Sequence, residues 1–375
     1  MIVFFIKIND HFSIANKLQA PDIAATGEIG DFIGGLVGTL FSLVGVLLLF
    51  ITLRDQRESF KKERFENHFF ELIKLHRENV SELNYKKFDG REFITSENRK
   101  VMRDIFNEFI ECYRDVKKFS NSNNPDDYLN TKYKLRLENI KKEKKFKANI
   151  IELAIIDISY SIVFFGVGLD GESVLRNRFQ KKYNSIYYYR LLAYIKLKPK
   201  RENRDRYELW ENMKSLDLKN LRKLIEEVYV HRKHLNNHDE LSEEAKKIIS
   251  DNQYEKYYGG HQHRLGHYFR HLFQSYKFLS ESKFINSEQK YFYGKTFRAQ
   301  LSTYEQALLF INSISSLGMK WEYKFEFNER PSSNIEKENG LITEFHLIKN
   351  LPGNHFFGIK YKNYYPRVKY ENNED

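Results

Sequence analysis

The feature that most constrains this chain is an uncharged run from Phe32 to Leu53, FIGGLVGTLFSLVGVLLLFITL. At about 1.5 Å per residue, a helix of these 22 residues matches a hydrocarbon core roughly 30 Å thick. A buried helix of a soluble core carries a polar stripe or stops sooner. This run does neither, so a transmembrane helix over 32–53 is expected. A cleaved signal peptide fits less well, because no basic residue stands just before the run and no small-residue cleavage site follows it. Arg54, Arg57, Lys61, Lys62 and Arg64 come directly after it, whereas Leu18 to Asp31 contains no Lys or Arg. That asymmetry predicts a single pass with the bulk of the chain cytoplasmic. Gly34, Gly38 and Ser42 fall at four-residue intervals and form a candidate oligomerisation face, where small residues let two helix backbones approach. The opening MIVFFI is apolar but too short to span, and suits the stub of an upstream helix.

The remainder is basic. Over 375 residues, 62 Lys and Arg stand against 51 Asp and Glu, a net charge of +11 that favours anionic partners such as nucleic acid or membrane lipid. One cysteine, Cys112, excludes an intrachain disulfide framework and a zinc site built on several thiolates. Six prolines and 41% hydrophobic residues argue against disorder and for a mainly α chain.

Periodicity divides it further. Phe65, Phe69, Leu72, His76, Val80 and Leu83 predict that the membrane helix continues as a stalk to about Asp89 and Gly90. Met102, Ile105, Phe109, Cys112 and Val116 predict a second amphipathic helix, stopped by the loop residues 120–127. Ile150 to Phe165 reads as a core helix broken by Gly166, Gly168 and Gly171. Further helices are predicted over 172–197, 207–213, 217–235, 241–257, 261–280 and 287–317. Past Trp321, WEYKFEF, 341–349 and 356–361 read as short strands, so 321–375 is expected to be a small α+β region. The organisation is then 1–31 as an N-terminal segment, 32–53 in the membrane, 54–119 as stalk and helical region, 128–320 as helical core, and 321–375 at the end.

Three strings carry a family resemblance: GGHQHRLGHYFRHLFQSYKFL from Gly259, YGKTFRAQLSTYEQALLFINSISSLGMKW from Tyr293, and FFELIKLHRENV from Phe69, the last after a membrane segment opening with GDFIGG. Together, from about residue 27 to about 360, they resemble the AbiC-like phage abortive infection protein family. The resemblance implies a bacterial inner-membrane protein that stops phage propagation at the expense of the infected cell, with a phage component among its partners. It brings no agreed catalytic set. Members often carry two membrane helices near the N-terminus, whereas one complete run is present here.

On a helix at 100° per residue, Arg264 and His271 are nearly aligned and His267 lies about 60° from Arg264, while Leu265, Phe269, Leu272 and Tyr276 form a separate, core-facing stripe. Arg forks onto phosphate oxygens and His moves protons near neutral pH, so Arg264, His267 and His271 are candidate catalytic residues. The pair Arg264 and His271 also resembles the HEPN ribonuclease motif, with Leu265 where that motif has a polar residue. A tethered ribonuclease is therefore the alternative to a sensor or effector, and a structural ion-pair network is the alternative to both. His263, His267 and His271 at i, i+4 and i+8 could offer imidazoles to a metal, but no HExxH and no carboxylate accompanies them, so none is expected. Arg298, Glu305 and Asn312, seven apart, form a polar stripe in which Glu305 could accept from Arg264, Arg270 or a histidinium, either in catalysis or as a buried salt bridge that selects register. Two basic tracts, with Lys141, Lys142, Lys144 and Lys145 in one and Lys198, Lys200 and Arg201 in the other, are candidate RNA-binding or lipid-binding surfaces. Tyr183, Tyr187, Tyr188 and Tyr189 precede the second tract; a solvated face is the alternative. Walker-type loops, GxSxG, paired CxxC motifs and GxGxxG after a strand are missing, so no cofactor is expected.

Overall fold

The computed structural model describes residues 23–88, 90–144, 147–234, 241–250, 254–322 and 340–371. The chain divides into two units, Met1–His68 and Phe69–Asp375. The first contains α1 (Ile23–Phe32), a π-turn over Ile33–Val37, and the beginning of α2 (Gly38–Ser81). The stretch Gly30–Ser81 is long and apolar enough to cross a membrane, and its most apolar 18-residue window has no buried residue.

In the second unit α2 ends at Ser81, earlier than the periodicity predicts. A hairpin follows, β1 (Asn84–Phe88) antiparallel to β2 (Phe93–Glu97), with Asn84 opposite Glu97 and Phe88 opposite Phe93. Asp89, part of the expected helix end, lies outside the described residues, and Gly90 takes a φ of 111° that a side chain would resist. An Asp-Gly pair between aromatic and β-branched residues is the hairpin signal that helical periodicity masked.

The core is built from α3 (Arg99–Phe119) packed on α5 (Ile150–Phe165), with a third helix, Thr303–Ile314, against both. Val101, Met102, Ile105, Phe109, Cys112 and Val116 are all fully buried along one face of α3. At about 1.5–3 kcal/mol for each large apolar side chain, that stripe alone accounts for the placement of the helix. Apolar all round, α5 is buried on nearly every side, as such a helix must be. Its buried Asp157 is satisfied by the Tyr183 hydroxyl and the Ser316 amide, and Lys182 Nζ lies 3.8 Å away.

Between these run α4 (Thr131–Lys144), α6 (Leu169–Phe179), α7 (Ser185–Lys196), α8 (Arg204–Ser215), α9 (Leu218–His234) and α10 (Glu243–Ser250). The single helix expected over 172–197 is thus two, because the Asn184 side chain accepts from the Ile186 and Tyr187 amides and starts a new one. The family-resembling strings form α11 (Gln262–Glu281), α12 (Ser287–Arg298) and α13 (Thr303–Ile314). The helix expected over 287–317 also breaks in two. Ser302 and Glu305 form a reciprocal capping box that begins α13, and Asn286 with Gln289 forms another at α12, one residue ahead of Ser287.

Two of the three strands expected at the C-terminal end, 341–349 and 356–361, are corrected among the described residues. Residues 323–339, and with them most of WEYKFEF, lie outside the described residues. Within 341–349 the chain makes a short helix, α14 (Leu341–Glu344), and turns, and 356–361 contributes an isolated bridge between Phe356 and Ile359. The alternation there serves burial instead of pairing. Leu341, Ile342, Phe345, Leu347 and Ile348 are all sunk into the core, and Tyr361, Tyr364 and Tyr365 surround Phe310 of α13 at ring separations of 5.6–6.2 Å.

Candidate functional site

Helix α11 positions the site, and the way it starts explains why. The end of α5 and the start of α11 approach backbone to backbone: the His261 amide donates to the Val163 and Phe164 carbonyls, and the Val167 amide donates to the Tyr258 carbonyl. Gly166 (φ 79°) and Gly260 (φ 89°) make this possible. A Cβ on Gly166 would lie 2.6 Å from the Gly259 carbonyl oxygen, and one on Gly260 would lie 2.6 Å from that of Phe165. The predicted core stripe of Leu265, Phe269, Leu272 and Tyr276 is buried as expected.

Along the first turns of α11 runs a cleft of about 730 Å³. Its basic side chains are Arg178 from α6, His263, His267 and Arg270 from α11, and Lys320 from the turn after α13. None of the described residues lining it is an Asp or Glu. The Arg178 guanidinium lies over the Phe165 ring, 5.3 Å from its centre, and its buried Nε finds no acceptor. Burial first, then the charges of Arg270 and Lys277, hold the Lys320 ammonium below its ordinary value. Burial and the neighbouring Arg264 and His261 lower the His263 imidazole in the same way. Gly259, Gly260 and Gln262 also line the cleft, so it contains the amino end of a 20-residue helix that has no side-chain cap. Such an end carries partial positive charge and free amide donors.

Of the sequence-predicted residues, His267 alone of its set faces this cleft. Arg264 turns toward the hairpin: its Nε donates to the Asn84 carbonyl at 2.7 Å, its Nη1 lies 3.2 Å from His261 Nδ1, and it stacks on Tyr85. His261, buried, bonds Glu108 through Nε2 at 3.0 Å, and the Tyr85 hydroxyl donates to the same carboxylate. This cluster fixes the start of α11; Glu108 comes from α3, and no spacing within α11 could reveal it. His271 instead meets His76, with the rings stacked 6.3 Å apart. Neither ring nitrogen of either histidine has a hydrogen-bond partner. Burial, then the charges of His271, Arg99 and Arg77, lower His76 to about 3, and burial lowers His271. Arg264 and His271 are therefore not brought onto a common partner.

Glu305 is completely buried, and among its partners a histidine is present while the expected Arg264 and Arg270 are replaced by Arg99. It accepts from the Tyr268 hydroxyl at 3.0 Å and the Ser302 amide at 2.7 Å, with Arg99 Nε at 3.6 Å and His76 Nε2 at 3.8 Å. The string Ser302-Thr-Tyr-Glu305 before an apolar run was the signal for this capping role. Arg298 donates to the Phe345 and His346 carbonyls and Asn312 to the Tyr160 hydroxyl, so each member of the polar stripe is tied separately. His263 and His267 line the cleft while His271 does not; among the described residues no three His, Cys, Asp or Glu side chains are grouped to hold a metal ion.

The second basic tract is largely taken up in ion pairs with carboxylates of the same chain. Lys198 is buried, with Nζ 3.1 Å from Glu111, 3.2 Å from Asp115 and 4.0 Å from the centre of the Tyr257 ring. Burial works against its charge, but Asp115 and Glu111 outweigh it and raise the ammonium's pKa. Arg201 also pairs with Glu111, and Lys200 pairs with Glu255. Tyr183 and Tyr188 are buried. In the first tract Lys142 is exposed and Lys141 half-buried; Lys144 ends α4 with its side chain outside the described residues, and Lys145 lies outside them altogether. Gly34 falls in the π-turn, which winds less per residue than an α-helix, so the four-residue register holds only between Gly38 and Ser42.

No curated protein matches this chain. No solved structure matches it either. Residues 260–356, which hold α11, α12, α13 and α14, match the family model described as "Putative phage abortive infection protein", and over that stretch the chain is similar to this family.

Proposed function

We propose that this protein is a membrane-anchored abortive infection effector that acts from the cytoplasmic face and receives an anionic cue of infection in the cleft beside α11. The observation that carries the reading is a coincidence of place: the family match begins at residue 260, and the helix it opens with builds the cationic wall of the cleft. The anchor is supported by the unburied apolar run at Phe32–Leu53, whose exposure to water would be costly, and its cytoplasmic side by the Lys and Arg that follow. Pairing of two anchors over Gly38 and Ser42 belongs to the same reading.

A phage challenge at low and high dose, combined with fractionation of the full chain, tests it. At high dose the infected culture should collapse without releasing phage, and at low dose it should survive; the chain should sediment with membranes and release only with detergent. A freely soluble chain, or a culture that survives high dose while phage yield is unchanged, contradicts the reading.

A further inference from the structure

We infer that the cleft binds a small phosphate ester carrying two or more negative charges, of nucleotide size. This rests on the reading above that the cleft receives an anion, and it adds the chemistry of that anion. Three observations converge. The lining brings Arg178, Arg270 and Lys320 together with His263 and His267, and none of its described residues is an Asp or Glu. The uncapped amino end of α11 opens there after Gly259 and Gly260, and at Gly259 a Cβ would meet nothing within 4 Å, so the backbone is approachable. Finally, the buried Arg178 Nε–H lacks an acceptor. Guanidinium forks, an ammonium and helix-end amides together are the donor set that phosphate oxygens match.

Size and surroundings favour a small molecule over a polymer. About 730 Å³ lies within the roughly 300–1,000 Å³ common for small-ligand sites. A nucleic acid needs a cationic track that continues along its backbone. Lys198, Lys200 and Arg201, the tract that could have supplied one, are spent on Glu111, Asp115 and Glu255. The crowding of Lys320 by Arg270 and Lys277 is a repulsion that a bound polyanion would relieve.

The test is calorimetric titration of the detergent-solubilised full chain with inorganic triphosphate, adenosine triphosphate and a twelve-residue single-stranded RNA, repeated on Arg270→Gln, Arg178→Gln and, as a control, Lys219→Gln at an exposed position of α9. Arg270 is exposed, so its variant should fold even if that of Arg178 does not. Triphosphate and adenosine triphosphate should bind, and Arg270→Gln should weaken both by about tenfold or more, as loss of one charge-assisted contact does, with Lys219→Gln unchanged. No binding of either phosphate, equal loss in the Lys219 control, or RNA binding tighter than both phosphates through the same residues would overturn the inference. Because the titration reads no phage protection, a protective chain that binds no phosphate sinks this inference and leaves the defence reading standing. A chain that binds phosphate yet protects nothing does the reverse.

Discussion

Two sets of side chains on α11 follow the same spacing, one residue out of step. Arg264, Tyr268 and His271 stand at i, i+4 and i+7 and turn into the protein, where they meet the Asn84 carbonyl, Glu305 and His76. His263, His267 and Arg270 stand at the same intervals, 100° around the helix, and face the cleft. Both sets are rich in Arg and His. What separates them is what the rest of the chain brings opposite: on the inner side a hairpin, a capping carboxylate and a second histidine, on the outer side more cations. The inner set is therefore read as architecture and the outer set as a binding surface.

That contrast is open to breakage at several points. The largest expected effect is on the inner side. Glu305→Ala strips the Tyr268 hydroxyl and Ser302 amide of their acceptor and removes the charge beside Arg99 and His76, and should cost about 3–5 kcal/mol in urea denaturation. A cost near zero would mean that Glu305 is free for chemistry. Leu272→Ala, in the buried stripe, should cost about 2–5 kcal/mol by the same measurement.

Next comes pH. His76 is held to about 3 in the folded chain and titrates near 6.5 when unfolded, so the unfolded state takes up its proton first as the solution is acidified. Its contribution is intact above pH 6.5 and lost progressively toward pH 3, and the loss reaches about 2 kcal/mol by pH 5. His76→Phe should flatten that acid limb of the stability curve at little cost near pH 7, since the ring already packs among Tyr268 and Phe297. An unchanged acid limb would show that His76 is not buried neutral. Smallest of all, Arg270→Gln on the outer side should move stability by no more than about 0.5 kcal/mol while altering anion binding.

Much of the fold was legible in the sequence because periodicity reports which face of a helix is apolar. Met102 to Val116 and Leu265 to Tyr276 were read as core stripes and are buried, and the membrane-length run stands out by length alone. Periodicity says nothing of what arrives from elsewhere. Arg264 and His271 align on a helical wheel, yet Asn84 and His261 claim one and His76 the other. Lys198 looked like part of a solvated tract until Glu111 and Asp115 of α3, more than eighty positions away, neutralised it in the interior. Polar residues seven apart suggested one long stripe through Glu305, but a Ser302 cap restarts the helix and assigns Glu305 to its first turn. Of the cleft, His267 was singled out as a site residue and Arg270 only as a possible partner for Glu305. Arg178 and Lys320 lie far from them in sequence, and only the fold joins them.

On the proposed function, defence depends on the outer face of α11. Plaque formation on cells carrying the Arg178→Gln, Arg270→Gln double variant, matched to wild type for membrane-associated protein and folding, measures it most directly. Plaque counts should rise to those of unprotected cells, while the Lys219→Gln control keeps full protection. Full protection by the double variant would contradict the claim.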